Sequence, residues 1–144
     1  MKAKDYLKQI EKLDTLIENK MIEMKQWKDI ALGITVHSEG DRVQASGSKQ
    51  RMADAVNRCV DMDIEIAHLI DSLVNLKRDV TEVIEQLNAT EYDLLHKVYI
   101  QHMTFIEVAV LKNRSKEWVK TVHGRALHNV QKILDKSEKN LEEM

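Results

Sequence analysis

The residues from Lys112 to Lys136 carry the strongest chemical signal in this chain of 144 residues. Seven of them are basic and two are acidic. Lysine and arginine bind phosphate groups, lysine also hydrogen-bonds guanine, and glutamate accepts a hydrogen bond from cytosine. Each single lysine or arginine is as often a solvated surface charge, but a cluster of this kind indicates a surface that binds an anionic partner.

The charge of the rest of the chain has the opposite sign. Residues 1–88 hold 13 basic and 16 acidic side chains, residues 89–136 hold 8 and 5, and the last eight residues hold 1 and 3. The net charge of −2 therefore conceals a basic segment between two acidic ones. Such an asymmetry indicates that only one part of the chain binds an anion.

Catalytic and metal sites are not supported by the sequence. The single cysteine, Cys59, excludes an internal disulfide and a cysteine-based metal site. His123 and His128 lack the neighbouring glutamate of a helical zinc site. We therefore expect no enzyme, no metal and no cofactor.

The distribution of apolar residues indicates where in the cell the protein is located. The N-terminal residues alternate between charged and apolar, so they lack the apolar run of a signal peptide. No stretch approaches the roughly 18 uncharged apolar residues that a membrane helix requires. We expect a cytoplasmic protein that does not enter a membrane.

The composition predicts an all-α protein. The chain has no proline, only four glycines and 4% aromatic residues, a combination poor in turn-forming and strand-forming residues. A first helix is predicted from about Ala3 to Ala31. Residues 32–48 contain three of the glycines and are predicted to form a loop, either a disordered tip or a contact surface for a partner.

The second helix, from about Lys49 to Leu87, has the clearest apolar pattern. Its inward positions repeat at steps of three and four, which is typical of a coiled-coil seam. The first helix is long enough to fold back antiparallel along it, and any apolar stripe left uncovered favours self-association. The seam consists of Met52, Ala55, Cys59, Met62, Ile66, Leu69, Leu73, Leu76, Val80, Val83 and Leu87.

Three further helices follow, each preceded by a residue that caps helix N-termini well. The caps are Asn88 or Thr90 for the third helix, Thr104 for the fourth and Ser115 for the fifth. The third helix is predicted to end near His102, and the fourth to run from Phe105 to Lys112. The sequence thus predicts a helical hairpin over residues 1–87, a trihelical unit over 88–136 and a frayed tail over 137–144.

Residues 105–127 meet the requirements of a helix-turn-helix, in which two short helices cross around a tight turn. Ala109 is small where the helices approach each other, and Asn113 tolerates the left-handed backbone of the turn. Val119 and Val122 then face inward from the second helix of the pair. The order of these residue types fits the motif.

The same segment resembles the helix-turn-helix of sigma-factor region four. The matching residues are Glu107, Val108, Ala109, Ser115, Val119, Lys120, Arg125, Ala126 and Leu127. The turn departs from that pattern, because Lys112, Asn113 and Arg114 stand where apolar, glycine and apolar residues are usual. This polar turn either loosens the helix packing or adds phosphate contacts, and Trp118 is either a core anchor or a base reader.

The whole chain is similar to small regulators of phages and prophages of Gram-positive bacteria, the ArpU-like and RinA-like late-gene activators. The resemblance implies a transcription regulator in a bacterial host cell that binds double-stranded DNA. The hairpin would then mediate self-association as a homo-oligomer or contact RNA polymerase. The alternative is a coiled-coil adaptor or assembly chaperone that binds a protein and never touches DNA.

On the DNA hypothesis, the N-terminal part of the fifth helix enters the major groove. Polar side chains on its outward faces are then expected to read base edges, and neighbouring basic side chains to contact phosphates. The candidates for base contacts are Ser115, Lys116, Glu117, Lys120 and Thr121. The candidates for phosphate contacts are Lys112, Arg114, His123 and Arg125.

Overall fold

The computed structural model of the chain describes residues 1–33 and 45–143, without the side chains of residues 45–48. All regular secondary structure in these residues is helical, which confirms the all-α class. The helices are α1 (Ala3–Ala31), α2 (Ala45–Ile84), α3 (Ala89–Leu95), continued by a π-helical turn (His96–Ile100), α4 (Phe105–Lys112) and α5 (Lys116–Glu142).

Three boundaries differ from those that the sequence predicts. Helix α2 begins at Ala45 and ends at Ile84, so it starts and stops slightly earlier than expected. Of the predicted loop over 32–48, residues 34–44 lie outside the described residues, and the last four residues belong to α2. Helix α5 continues to Glu142 where a frayed tail was expected. Once a helix is nucleated by packing, extending it through good helix formers such as lysine and glutamate costs little.

The described chain divides into two compact units. The first unit contains Met1–Leu13 and Leu73–Met144, and the second contains Asp14–Ser72. The start of α1 and the end of α2 therefore belong to the same unit as α3, α4 and α5. The division of the sequence into domains at residue 88 stays a prediction.

The larger buried cluster of the first unit draws on every helix of that unit except α4. Its buried residues are Ala3, Leu7, Ile10, Val80, Ile84, Leu95, Tyr99, Ala126 and Val130. The seam residues Leu73, Leu76, Val83 and Leu87 pack partly buried against this cluster. A hydrogen bond from the Ala3 N–H to Gln131 Oε1, at 2.7 Å, also joins α1 to α5. The C-terminal helices are thus completed by residues far away in sequence.

The second unit is formed by parts of α1 and α2 that run antiparallel. Lys20 Nζ lies 2.7 Å from Glu65 Oε1, and Cys59 Sγ lies 4.0 Å from the carbonyl oxygen of Met24, so residue numbers rise on one helix as they fall on the other. Several residues of the predicted seam lie in this unit. Met62 and Ile66 are buried, while Met52, Cys59 and Leu69 are half-buried. Within the described ranges, no helix is long and apolar enough to cross a membrane.

Candidate nucleic-acid interface

Helix α4 is fixed at both ends by local hydrogen bonds. Thr104 Oγ1 accepts from the Glu107 N–H at 3.2 Å, which confirms the predicted N-cap. At the other end Asn113 has a left-handed backbone, with φ 54°. The N–H of Asn113 donates to Val110, and that of Arg114 donates to Ala109 across the turn. This pair of bonds is a Schellman motif, which satisfies the last carbonyls of α4 and reverses the chain.

The polar turn after α4 is held by side-chain contacts rather than loosened. Lys112 forms an ion pair with Asp93 of α3, and Lys97 pairs with the same carboxylate. Burial disfavours the ionised form of Asp93, but the hydrogen bonds and charges of the two lysines outweigh it, so the pKa of Asp93 lies below its ordinary value. Lys112, a predicted phosphate contact, thus has its ammonium group on the Asp93 carboxylate, where it joins α4 to α3.

The other side of the turn rests on an aromatic ring. The Arg114 guanidinium carbon lies 5.1 Å from the centroid of the Trp118 ring, within the range of a cation–π contact. Trp118 is half-buried and packs against the cluster of Leu94, Val108, Ala109, Val119 and Val122. Trp118 is therefore a core anchor, as one of the two hypotheses for it required.

Helix α5 starts at its predicted cap. Ser115 Oγ accepts from the Trp118 N–H at 3.1 Å, so the Ser115 side chain is engaged with the helix end. Val119 and Val122 are buried against α4, as the motif requires. The cap and these two contacts fix both the start of α5 and its rotation about its own axis.

This rotation turns the polar side chains of α5 outward. The exposed residues in its first three turns are Lys116, Glu117, Lys120, Thr121, Gly124 and Arg125. The Thr121 hydroxyl donates to the Glu117 carbonyl oxygen at 2.9 Å, which leaves the hydroxyl oxygen as an acceptor. We call the surface formed by Lys116, Glu117, Lys120, Thr121 and Gly124 the outer face of α5. Its two cations, Lys116 and Lys120, lie one turn apart.

A cleft of about 340 Å³ lies beside the outer face, between α5 and the start of α3. Arg114 and Arg125 both line it, together with Trp118 and Thr90. Two guanidinium groups at one concave surface suit a phosphate group, because each presents several donors in a plane. The structure thus brings together two of the four predicted phosphate contacts.

The wall of this cleft contains a buried carboxylate that the sequence does not reveal. Glu91 is only 2% exposed. Asn129 Nδ2 donates to both of its oxygens, at 3.0 and 3.1 Å. This contact joins α3 to α5 at the wall of the cleft.

His123 is the clearest correction among the predicted site residues. It is 8% exposed, its Nε2 lies 2.7 Å from the Tyr99 hydroxyl, and its ring packs against Phe105 with centroids 4.8 Å apart. The imidazole therefore belongs to the packed interior of α5, with its Nε2 engaged by Tyr99, and not to the exposed basic surface on which it was predicted. Its spacing offered a signal, because Val119, His123 and Ala126 follow the inward steps of four and three.

The buried imidazole predicts a pH-dependent stability. Burial, assisted by the positive charge of Lys4, lowers the pKa of His123 below 6.5. In the unfolded chain that pKa returns to about 6.5, so the unfolded state gains a proton first on acidification. Stability should therefore fall as the pH drops from about 7.5 to 5.5, in urea unfolding followed by circular dichroism.

We expect a His123→Phe variant to be less stable than the wild type, because the Tyr99 hydroxyl loses its partner. The fall in its stability on acidification that comes from His123 should be absent. His128→Phe, at an exposed position of the same helix, should keep the wild-type dependence. The assignment is wrong if the urea midpoint of His123→Phe changes with pH as steeply as that of the wild type.

Comparison with known proteins adds no function. No protein-family model, no curated protein and no solved structure matches this chain. In the part of the chain that the structure describes, no group of three or more His, Cys, Asp or Glu side chains is placed to hold a metal ion. The outer face of α5 and the adjacent arginine cleft form an exposed basic surface.

Proposed function

We propose that this chain is a sequence-specific DNA-binding transcription regulator of the phage and prophage type that its sequence resembles. In this proposal α4 and α5 are a helix-turn-helix, α3 completes a trihelical unit, and α5 enters the major groove. The observation that carries the proposal is the outer face of α5. It presents Lys116, Glu117, Lys120 and Thr121 to solvent from a helix whose start and rotation are fixed by Ser115 and the buried valines.

The positions of the exposed side chains assign some of them to base edges and others to phosphate groups. Lys116, Glu117, Lys120 and Thr121 face base edges, where lysine donates to guanine and glutamate accepts from cytosine. Arg114 and Arg125 bind phosphate at the cleft beside the groove, which orients the helix without reading sequence. His123 and Lys112 are not part of this proposal, because the first is buried and the second is paired with Asp93.

Selection from a randomised double-stranded DNA library tests this function, with binding measured by fluorescence anisotropy over a range of salt concentrations. Enrichment of one sequence motif is the expected result. If all sequences are retained equally and retention falls steeply as salt increases, the protein binds the phosphate backbone without reading sequence. No retention at low salt would overturn the proposal and favour the protein-binding adaptor.

We also propose that the helical hairpin formed by α1 and α2 mediates self-association, so that two copies bind two half-sites, with RNA polymerase as the further partner of a cytoplasmic regulator. The support is a second apolar stripe on α2, separate from the inward seam. It consists of Val56, Val60, Ile64 and Ile70, which are 38% to 55% exposed. An exposed apolar stripe of this kind on a pair of packed helices favours burial against another copy.

A Val60→Glu/Ile64→Glu variant is expected to be monomeric where the wild type is a dimer, measured by sedimentation velocity over a range of concentrations. Both positions are exposed, so the variant should keep the wild-type helix content. Asn57→Glu/His68→Glu adds the same charges at exposed polar positions of the same helix and should stay dimeric. A wild type that sediments as a monomer at every concentration would contradict self-association.

A further inference from the structure

Gly124 is a glycine that internal packing does not explain. It lies in the third turn of α5, is exposed, and a Cβ atom built on it would meet no atom within 4 Å. Its backbone is part of a regular helix, so it does not need the left-handed freedom of glycine. Alanine would stabilise the helix at this position, since glycine is among the poorest helix formers.

The surroundings of Gly124 are those of the outer face. Lys120 and Thr121 precede it by one turn, and the exposed His128 follows it by one turn on the same side of α5. The longer side chains therefore surround a bare stretch of helix backbone. Such gaps are typical of places where another backbone approaches closely.

Resting on the proposed function, we infer that Gly124 is the position where α5 touches the sugar–phosphate backbone at the wall of the major groove. The groove is about 12 Å wide, and a helix with its side chains is roughly 10–12 Å across, so a side chain at the wall limits how deeply the helix enters. Gly124 begins the third turn, about 12 Å along the axis from Lys116, where a helix that enters by its N-terminal end approaches the groove wall. The missing side chain sets the depth at which Lys116 and Lys120 meet the bases.

Two substitutions test this inference because stability and binding should move in opposite directions. Gly124→Ala should raise Tm by about 2 to 5 °C and weaken binding to the selected DNA by roughly tenfold. Gly124→Lys adds a positive charge, so simple electrostatic attraction would strengthen binding, whereas contact at the bare backbone requires it to weaken. Ser137→Lys, at an exposed position of α5 far from the outer face, is the matched control and should bind like the wild type.

The outcomes separate this inference from the function on which it rests. A wild type that binds a selected sequence, with Gly124→Ala and Gly124→Lys binding at least as tightly, overturns the contact at Gly124 and leaves the function standing. A wild type that binds no DNA at low salt overturns both. Weakened binding by both variants, with a raised Tm for Gly124→Ala, is the expected result.

Discussion

A Lys116→Ala/Lys120→Ala variant is expected to bind the selected DNA sequence roughly a hundredfold more weakly than the wild type, because each lysine–base contact contributes about 1–3 kcal/mol of discrimination. On random DNA the loss should be far smaller, since non-specific binding depends on phosphate contacts. The ratio of the two dissociation constants, measured by anisotropy at fixed salt, reports the loss of base reading. Both side chains are exposed, so the helix content and Tm should stay near those of the wild type.

The chain offers a charge-matched control for this experiment. Arg114→Ala/Arg125→Ala removes the same two positive charges from the adjacent cleft. It should weaken binding to selected and random DNA alike, and lower the slope of log affinity against log salt by about two. If both double variants lose affinity for every sequence equally, the outer face of α5 attracts DNA without reading it.

The features that sequence reasoning predicted best are those that depend on neighbouring residues. Thr104 and Ser115 cap their helices, and Asn113 supplies the left-handed turn, as expected. Each of these roles is decided within four residues by the hydrogen-bonding groups and backbone freedom of one side chain. The bounds of α4 follow for the same reason.

The features that were not predicted depend on residues far apart in sequence. The ion pair between Lys112 and Asp93 joins α4 to α3, and no regular spacing in the sequence predicts it. The core that unites Leu7 and Val80 with Val130 is of the same kind. The prediction that His123 is exposed was wrong for a different reason. Its spacing indicates an inward position, but its polar side chain suggested a surface position. The Tyr99 hydroxyl that satisfies it comes from the π-helical turn, which apolar periodicity does not reveal.

These contacts also explain how the polar turn between α4 and α5 is held in place. A turn of lysine, asparagine and arginine offers few apolar contacts of its own, but here Asp93 pairs with Lys112 and Trp118 stacks on Arg114. An ion pair and a cation–π contact therefore hold the turn, beside the apolar cluster in which α4 and α5 pack. It leaves Arg114 at the edge of the cleft, where its guanidinium group both stacks and remains exposed to an anion.

Loss of the hydrogen bonds to Glu91, in the wall of that cleft, is expected to have the largest effect on stability. An Asn129→Leu variant removes the amide that donates to both carboxylate oxygens and leaves a buried charge without that partner. We expect the free energy of unfolding to fall by about 2–4 kcal/mol, the range typical of breaking one side of a buried polar pair. Urea unfolding of the wild type and the variant at one pH measures the difference.

A thermodynamic cycle distinguishes this cause from a packing defect at position 129. Glu91→Leu/Asn129→Leu removes the charge together with its donor, and replacing a buried polar pair by apolar side chains is often nearly neutral. The double variant should therefore be more stable than Asn129→Leu alone, although it carries one more substitution. If the effects of Glu91→Leu and Asn129→Leu simply add, the two side chains are not coupled. Coupling would mean that this polar contact stabilises the packing of α3 on α5 at the arginine cleft, in addition to the apolar residues that the two helices share.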